Sequence, residues 1–232
     1  MSSSLSNSKI TLAAAKLRLP LTVPYRLAFG EQTHFDVLLV AALGSGTVGW
    51  GEATILPGYT DETIEQAWSL AKDLTDRCTT IQDLNSACDK MLDSAPFTAT
   101  AFLTALDWLA ENPILRRSGR FELLGTVNGK ADDRDKLEQE VETLLGRGYK
   151  TLKVKIGWEP EADLKQVNVV REIVNGRAKL RVDGNQGYTR DQAIHFLSRL
   201  EPEDIEHVEQ ACAAQDWDLA LGIHKASKAP LI

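Results

Sequence analysis

The stretch Tyr149-Lys150-Thr151-Leu152-Lys153-Val154-Lys155-Ile156-Gly157 decides how this chain is read. Side chains alternate along a strand, so Leu152, Val154 and Ile156 point one way and Lys153 and Lys155 the other. If helices cover the apolar set, both lysines face the inside of a βα barrel, near the C-terminal mouth where such barrels carry their chemistry. An isolated K-x-K pair also fits a strand face open to water, so the neighbouring segments have to decide.

They alternate without a break. Strand signals at 121–127, 151–156, 179–183 and 205–210 are interleaved with helical patterns starting near Asp132, Glu161, Thr189 and Asp216. In the last of these helices Trp217, Ala220, Leu221 and His224 fall on one face, taken as the packing face, and the fragment Pro230-Leu231-Ile232 begins another apolar segment. Regular βα alternation means parallel strands. Four βα units and the start of a fifth fit into residues 121–232, whereas a closed eight-unit barrel takes roughly 250 residues. The expected fold class is therefore α/β, with an incomplete TIM-type barrel of about four βα units.

Upstream the pattern differs. Ile10–Leu19, Phe35–Leu43 and Thr47–Glu52 carry strand signals, and Gly44-Ser45-Gly46 marks a hairpin turn between the last two. After Pro57-Gly58 the period becomes helical, with Ile64, Ala67, Trp68, Ala71 and Leu74 on one face and Asp61 and Glu62 assigned to the first turn. A second helix starts near Thr80, a candidate N-cap, with Ile81, Leu84, Cys88 and Met91 on one side, and a third runs from about Phe97 through Trp108 and stops before Pro113. Strands followed by helices give an α+β unit over 10–115. The Ser-rich residues 1–9 read as a flexible tail and Arg116–Arg120 as a linker to the barrel segment 121–232.

Composition narrows the function classes. The 232 residues are 43% hydrophobic, enough for two domains with their own cores. A formal net charge of -7 and a pI near 5.2 argue against a nucleic-acid partner and for a small molecule. Cys78, Cys88 and Cys212 have no metal-ligand spacing and read as buried thiols in a reducing compartment. Lysines interrupt the only apolar stretch near the start, so neither a signal peptide nor a membrane span is expected, and the cytoplasm is the expected location.

The chemistry gathers at successive strand ends. Leu180-Arg181-Val182-Asp183-Gly184-Asn185-Gln186 puts Asp183 and Asn185 on one face, and Ile205-Glu206-His207-Val208-Glu209-Gln210 puts His207 and Glu209 on one face. One carboxylate per strand end is how a barrel assembles a site for a hard cation, since Mg²⁺ takes oxygen ligands. The K-x-K, D-x-N and V-E-Q motifs in this order, behind an α+β domain with the strand Gly49-Trp50-Gly51-Glu52-Ala53, resemble the muconate-lactonizing-enzyme subgroup of the enolase superfamily. Its members include muconate cycloisomerases, o-succinylbenzoate synthases, N-acylamino acid racemases and dipeptide epimerases.

The resemblance implies an enolase-type capping domain, a (β/α)7β-type barrel, and Mg-dependent removal of a proton α to a substrate carboxylate through an enediolate. Lys155 would be the base and Lys153 its electrostatic helper. Asp183 and Glu209 would bind Mg²⁺, with Mn²⁺ as an alternative, and Asn185 would support them from behind. A cation stabilises charge as it develops on the enediolate oxygens. Enolase-superfamily sites are a standard example of a Lys or His base working beside Mg²⁺. The capping-domain loops near Thr22–Gly30 and Thr54–Thr60 would close on the substrate, which makes Arg26 and Tyr59 candidate contacts.

Two departures matter. Ala211 stands where the family has proline after the V-E-Q motif. A third metal ligand at the Asp183-to-Glu209 spacing falls near residue 235, beyond Ile232, as does the family's opposing lysine. A chain that stops there is expected to turn over little or no substrate by itself. The alternative reading is a non-catalytic half-barrel that acts as a binding or interaction module through its open sheet edges, with homo-oligomers compatible with either.

Overall fold

The computed structural model describes residues 8–27, 30–56, 58–59 and 61–232, with the side chains of Arg26 and Leu27 outside the description. The tail expected over 1–9 lies outside it up to Asn7. The described residues divide into two compact units, one holding Ser8–Tyr25 and Glu31–Gly119, the other Arg120–Ile232 with Arg26, Leu27 and Gly30.

The first unit holds strands β1 (Thr11–Leu27), β2 (Gly30–Gly44) and β3 (Thr47–Thr54) in the order β1-β2-β3, followed by helices α1 (Ile64–Arg77), α2 (Ile81–Met91) and α3 (Pro96–Leu109). β2 and β3 pair antiparallel around the Ser45-Gly46 turn. β1 runs well past Leu19, where the sequence reading ended it before Pro20. It pairs with β2 alone, and an edge strand tolerates prolines such as Pro20 and Pro24 because one row of its backbone groups is unpaired.

The alternation of Gly49, Gly51 and Ala53 on the buried face of β3 has a direct cause. A Cβ built on Gly49 would lie 2.0 Å from the Ala105 carbonyl oxygen, and one on Gly51 would lie 1.8 Å from that of Ala101. Helix α3 thus rests with its backbone against the strand, through its own alanines, and no side chain larger than hydrogen fits between them.

Helix starts are set by short-range hydrogen bonds. Thr63 and Gln66 form a reciprocal capping box on α1, and Thr80 and Asp83 form another on α2. Because Thr63 starts α1, Glu62 lies outside its first turn, contrary to the sequence reading. Helix α3 has no side-chain cap of its own, and the buried Glu62 carboxylate accepts instead from the amides of Phe97 (2.6 Å) and Thr98 (3.0 Å) and from the Thr98 hydroxyl (2.6 Å). A carboxylate on exposed helix N–H groups offsets both the unpaired donors and the helix dipole.

The second unit alternates β4 (Leu124–Val127), α4 (Arg134–Gly146), β5 (Thr151–Lys155), α5 (Pro160–Val174), β6 (Lys179–Asp183), α6 (Arg190–Arg199), β7 (Ile205–Glu209) and α7 (Trp217–Ala226). The four strands form one parallel sheet in chain order. Leu152, Val154, Leu180, Val182 and Val208 pack with Leu137, Val141, Val167, Val170, Phe196 and Leu197 of the helices into one core. Pro230-Leu231-Ile232 lies parallel beside β7, with the Val208 amide donating to Pro230 O at 2.8 Å and the Ile232 amide to Val208 O at 3.0 Å.

Two expectations need correction here. The strand expected from Phe121 begins at Leu124, because the ladder to β5 starts with Leu124 opposite Thr151, and Phe121 and Leu123 are exposed. On α7 the buried side chains are Leu219 and Ile223, one turn apart, while Trp217 and Leu221 are exposed. Asp216 caps the helix by accepting from the Leu219 amide, and Leu219 and Ile223 join the core of the second unit.

Gly51→Ala is expected to destabilise the first unit by at least ~3 kcal/mol, the upper part of the range for overpacking, since the clash is with backbone. Gly146→Ala, where an added Cβ meets nothing within 4 Å, is expected to be neutral or slightly stabilising. Urea unfolding of both variants checks the contrast.

Candidate active site

Two registers place the charged side chains. Lys155 pairs with Asp183 across β5 and β6, and Asp183 pairs with Glu209 across β6 and β7. The last pairing depends on an irregularity: Leu180 is opposite Ile205, but Arg181 is opposite His207, so Glu206 is an extra residue in β7. The Arg181 guanidinium holds that bulge by donating to both Glu206 carboxylate oxygens, at 2.9 and 3.1 Å. With a uniform register Val208 would face Asp183 and Glu209 would not.

At the strand ends the Lys153 ammonium lies 2.8 Å from Asp183 Oδ2 and 2.8 Å from Glu209 Oε2. Lys155 Nζ donates to Asp183 Oδ2 at 2.5 Å and to Asn185 Oδ1 at 2.6 Å. The Asn185 amide closes the set by donating to Asp183 Oδ1 at 2.9 Å. Asp183 is 1% exposed at its side chain, the lysines 11–19% and Glu209 34%. Two ammonium groups face two carboxylates, so the cluster is formally neutral.

Burial alone pushes the Asp183 carboxyl up, but the hydrogen bonds from Lys153, Lys155 and the Asn185 amide outweigh it and hold the group below the ordinary value of 3.8. Burial likewise pulls the Lys153 ammonium down, and its bonds to Asp183 and Glu209 outweigh that and raise it above 10.5.

The donor set suits a hard divalent cation. Two carboxylates on adjacent strands converge on one positively charged nitrogen, and Mg²⁺ is commonly held by one or two carboxylates with water or substrate completing its shell. Among the described residues no group of three or more His, Cys, Asp or Glu side chains could hold a metal ion.

Lys153, Lys155, Asp183, Asn185 and Glu209 are thus brought together. Tyr59 lies in the first unit with an exposed side chain and its amide on Leu56 O at 3.3 Å, and the Arg26 side chain lies outside the described residues. The three cysteines are buried thiols, and burial pushes Cys88 up to about 12.

Sequence reading missed what supports the strand ends. Glu140 accepts from the Gly129 amide at 2.6 Å, and Gln166 accepts from Ala131 N (2.7 Å) and donates to Gly129 O (2.8 Å), together fixing the turn after β4. Asp163 does the same for the turn after β5. A polar residue on the apolar side of a helix, as Asp163 and Gln166 are in α5, was the available signal.

Residues 136–231 match the family described as Enolase C-terminal domain-like. The chain is 22% identical over 222 residues to a D-Ala-D/L-Ala epimerase of Cytophaga hutchinsonii, covering 90% of this chain and 60% of that protein. It is 28% identical over 225 residues to an L-Lys-D/L-Arg epimerase of Methylococcus capsulatus, covering 87% and 61%. The chain thus spans about 60% of the length of these relatives. Among solved structures, a dipeptide epimerase from Cytophaga hutchinsonii, complexed with Mg and the dipeptide D-Ala-L-Val, superposes with a TM-score of 0.84 at 24% identity over 96% of this chain and 64% of that one. A muconate lactonizing enzyme from Pseudomonas Fluorescens, complexed with muconolactone, gives 0.80 at 21% identity over 97% and 66%.

The charge pairing has a pH signature. Asp183 has a folded pKa below its unfolded one, so its contribution is complete above the unfolded value and is lost as pH falls through the folded value. Lys153 is raised, so its contribution is complete below the unfolded value and is lost as pH rises through the folded one. Lys153→Met is expected to cost on the order of 3 kcal/mol, the scale for breaking a buried pair. The cost should be flat between roughly pH 5 and 9 and shrink outside about pH 4 and 10.5. Urea unfolding of both proteins across that range measures it, and a cost that shrinks neither on the acid side nor on the alkaline side contradicts the pairing.

Proposed function

We propose, for a chain that belongs to the mandelate racemase/muconate lactonizing group of the enolase superfamily, that its parallel strands are the first part of a (β/α)7β-type barrel carrying a site for proton removal α to a carboxylate. The substrate class is a small carboxylate of dipeptide or N-acyl amino acid type, and the reaction an epimerisation or racemisation. The observation that carries this is the convergence of Asp183 Oδ2 and Glu209 Oε2 on the single Lys153 ammonium at 2.8 Å each.

Asp183 and Glu209 would hold Mg²⁺ or Mn²⁺, with Asn185 fixing the far oxygen of Asp183 through its amide. The cation would stabilise negative charge developing on the substrate carboxylate. Lys155, as the neutral amine, would take the α-proton and become an ammonium, and Lys153, two residues before it on the same strand face, adds positive charge beside the developing anion. Both ammonium groups are bonded to Asp183. Engaging Asp183 and Glu209 elsewhere would let these lysines turn to the substrate, so lysine and divalent cation compete for the same carboxylate oxygens. Arg26 and Tyr59 are proposed to contact the substrate's distal end.

The test begins with metal binding by the 232-residue chain. Calorimetric titration with Mg²⁺ and Mn²⁺ is expected to show weak binding that is lost in Asp183→Asn and Glu209→Gln and strengthened in Lys153→Met. Binding that is unaffected by the two carboxylate substitutions overturns the site. NMR in D₂O with a panel of dipeptides follows α-proton exchange. Exchange is expected to be slow and to fall at least 10²-fold in Lys155→Met, the usual scale for a lost general base. Exchange that survives this substitution places the base elsewhere.

A further inference from the structure

Asp163 is a carboxylate in the wrong place for an ordinary helix residue. It sits in the first turn of α5, buried, and one of its oxygens, Oδ2, accepts three hydrogen bonds: from the Gly157 amide at 3.0 Å, the Trp158 amide at 3.0 Å and the Tyr188 hydroxyl at 2.7 Å. Each donor belongs to a segment that leaves a chemistry-bearing strand. Gly157 and Trp158 follow Lys155, and Tyr188 follows Asp183 and Asn185.

Tyr188 carries the connection one strand further. Its amide donates to Ala211 O at 3.2 Å, and the residue forms a parallel bridge with Cys212, in the segment that follows Glu209. The ring is buried against Phe196 of α6, 5.5 Å between centroids, so the hydroxyl cannot swing to another partner. Burial and the Asp163 carboxylate both push the phenol up, which keeps it a donor. A Cβ on Gly157 would lie 2.4 Å from the Gly184 carbonyl oxygen, so the turns after β5 and β6 are in backbone contact where Asp163 grips them.

We propose that Asp163 and Tyr188 are positioning residues that couple the three strand ends and thereby set the distances among Lys155, Asp183 and Glu209. The described hydrogen bonds of the Asp163 side chain and of the Tyr188 hydroxyl join the turns after the strands, and each residue acts through that backbone. The inference rests on the reading of Asp183 and Glu209 as a cation site, and its test separates the two.

The test uses the 232-residue chain and four proteins: wild type, Tyr188→Phe, Asp163→Asn, and Val170→Ala as a fully buried control elsewhere in α5. Tyr188→Phe removes the hydroxyl and keeps the ring packing. Two readouts are taken besides the melting temperature, namely Mn²⁺ affinity by water-proton relaxation and the carboxyl ¹³C shifts of Asp183 and Glu209 without metal. Tyr188→Phe and Asp163→Asn are expected to weaken Mn²⁺ binding on the order of tenfold, as for other groups that orient metal ligands from behind. Both should move the two carboxyl shifts while melting no lower than Val170→Ala, and Val170→Ala should leave binding and shifts as in wild type. The proposal is overturned if Tyr188→Phe and Asp163→Asn leave the shifts in place, or if Val170→Ala moves them equally. If wild type binds no Mn²⁺, the cation reading fails, and the carboxyl shifts alone decide the positioning role.

Discussion

A carboxylate shut away from water has to be matched by charge and by hydrogen bonds, and Asp183 is matched by two ammonium groups and one amide. That match requires Lys153 and Lys155 on one strand and Asp183 on the next, level with Lys155, and the register that follows brings Glu209 on the third strand to the same level. Parallel ladders supply the level between β5 and β6 without adjustment. Between β6 and β7 the extra residue Glu206 supplies it, because a one-residue shift changes which side chains face the site. Arg181 fastens the bulge from β6 itself, so the strand that carries Asp183 also sets the register of its partner carboxylate.

The first unit meets a different constraint with different residues. Its sheet and helix α3 approach until only glycine on β3 and alanine on α3 fit between the backbones. That close approach leaves the N-terminus of α3 buried near Glu62, whose carboxylate takes over the capping that Ala95 cannot provide. Among the described residues of both units no buried side-chain nitrogen or oxygen lacks a hydrogen-bond partner, so neither unit stores an unmatched polar group.

What could be read from sequence follows from the range of the interactions. The facing of Lys153 against Leu152, and of Asp183 against Val182, is a property of the strand period and needs no tertiary knowledge. Thr80 with Asp83 is equally local, and the cap is present. The true extent of β1 was hidden by Pro20, whose tolerance depends on β1 being an edge. The role of Glu62 was hidden because its partners lie 35 and 36 residues away. On α7 two apolar pairs competed for the inside, and only the cap and the neighbouring core chose Leu219 and Ile223 over Trp217 and Leu221. The bulge at Glu206 left the expected facing of Glu209 intact but gave no sign of its own in the residue pattern.

The helices of the second unit show why its strand ends can be held so closely. Each turn that leaves a strand exposes backbone amides that water or a side chain must satisfy. After β4 these amides are taken by Glu140 and Gln166, and after β5 by Asp163. In each case the acceptor is rooted in a helix that is packed into the apolar core through residues on the same side, such as Leu137, Val167 and Val170. Rigid helices therefore fix the turns, and the turns fix the last residues of the strands. The side chains placed there, Lys153, Lys155, Asp183 and Glu209, then meet in one hydrogen-bonded cluster.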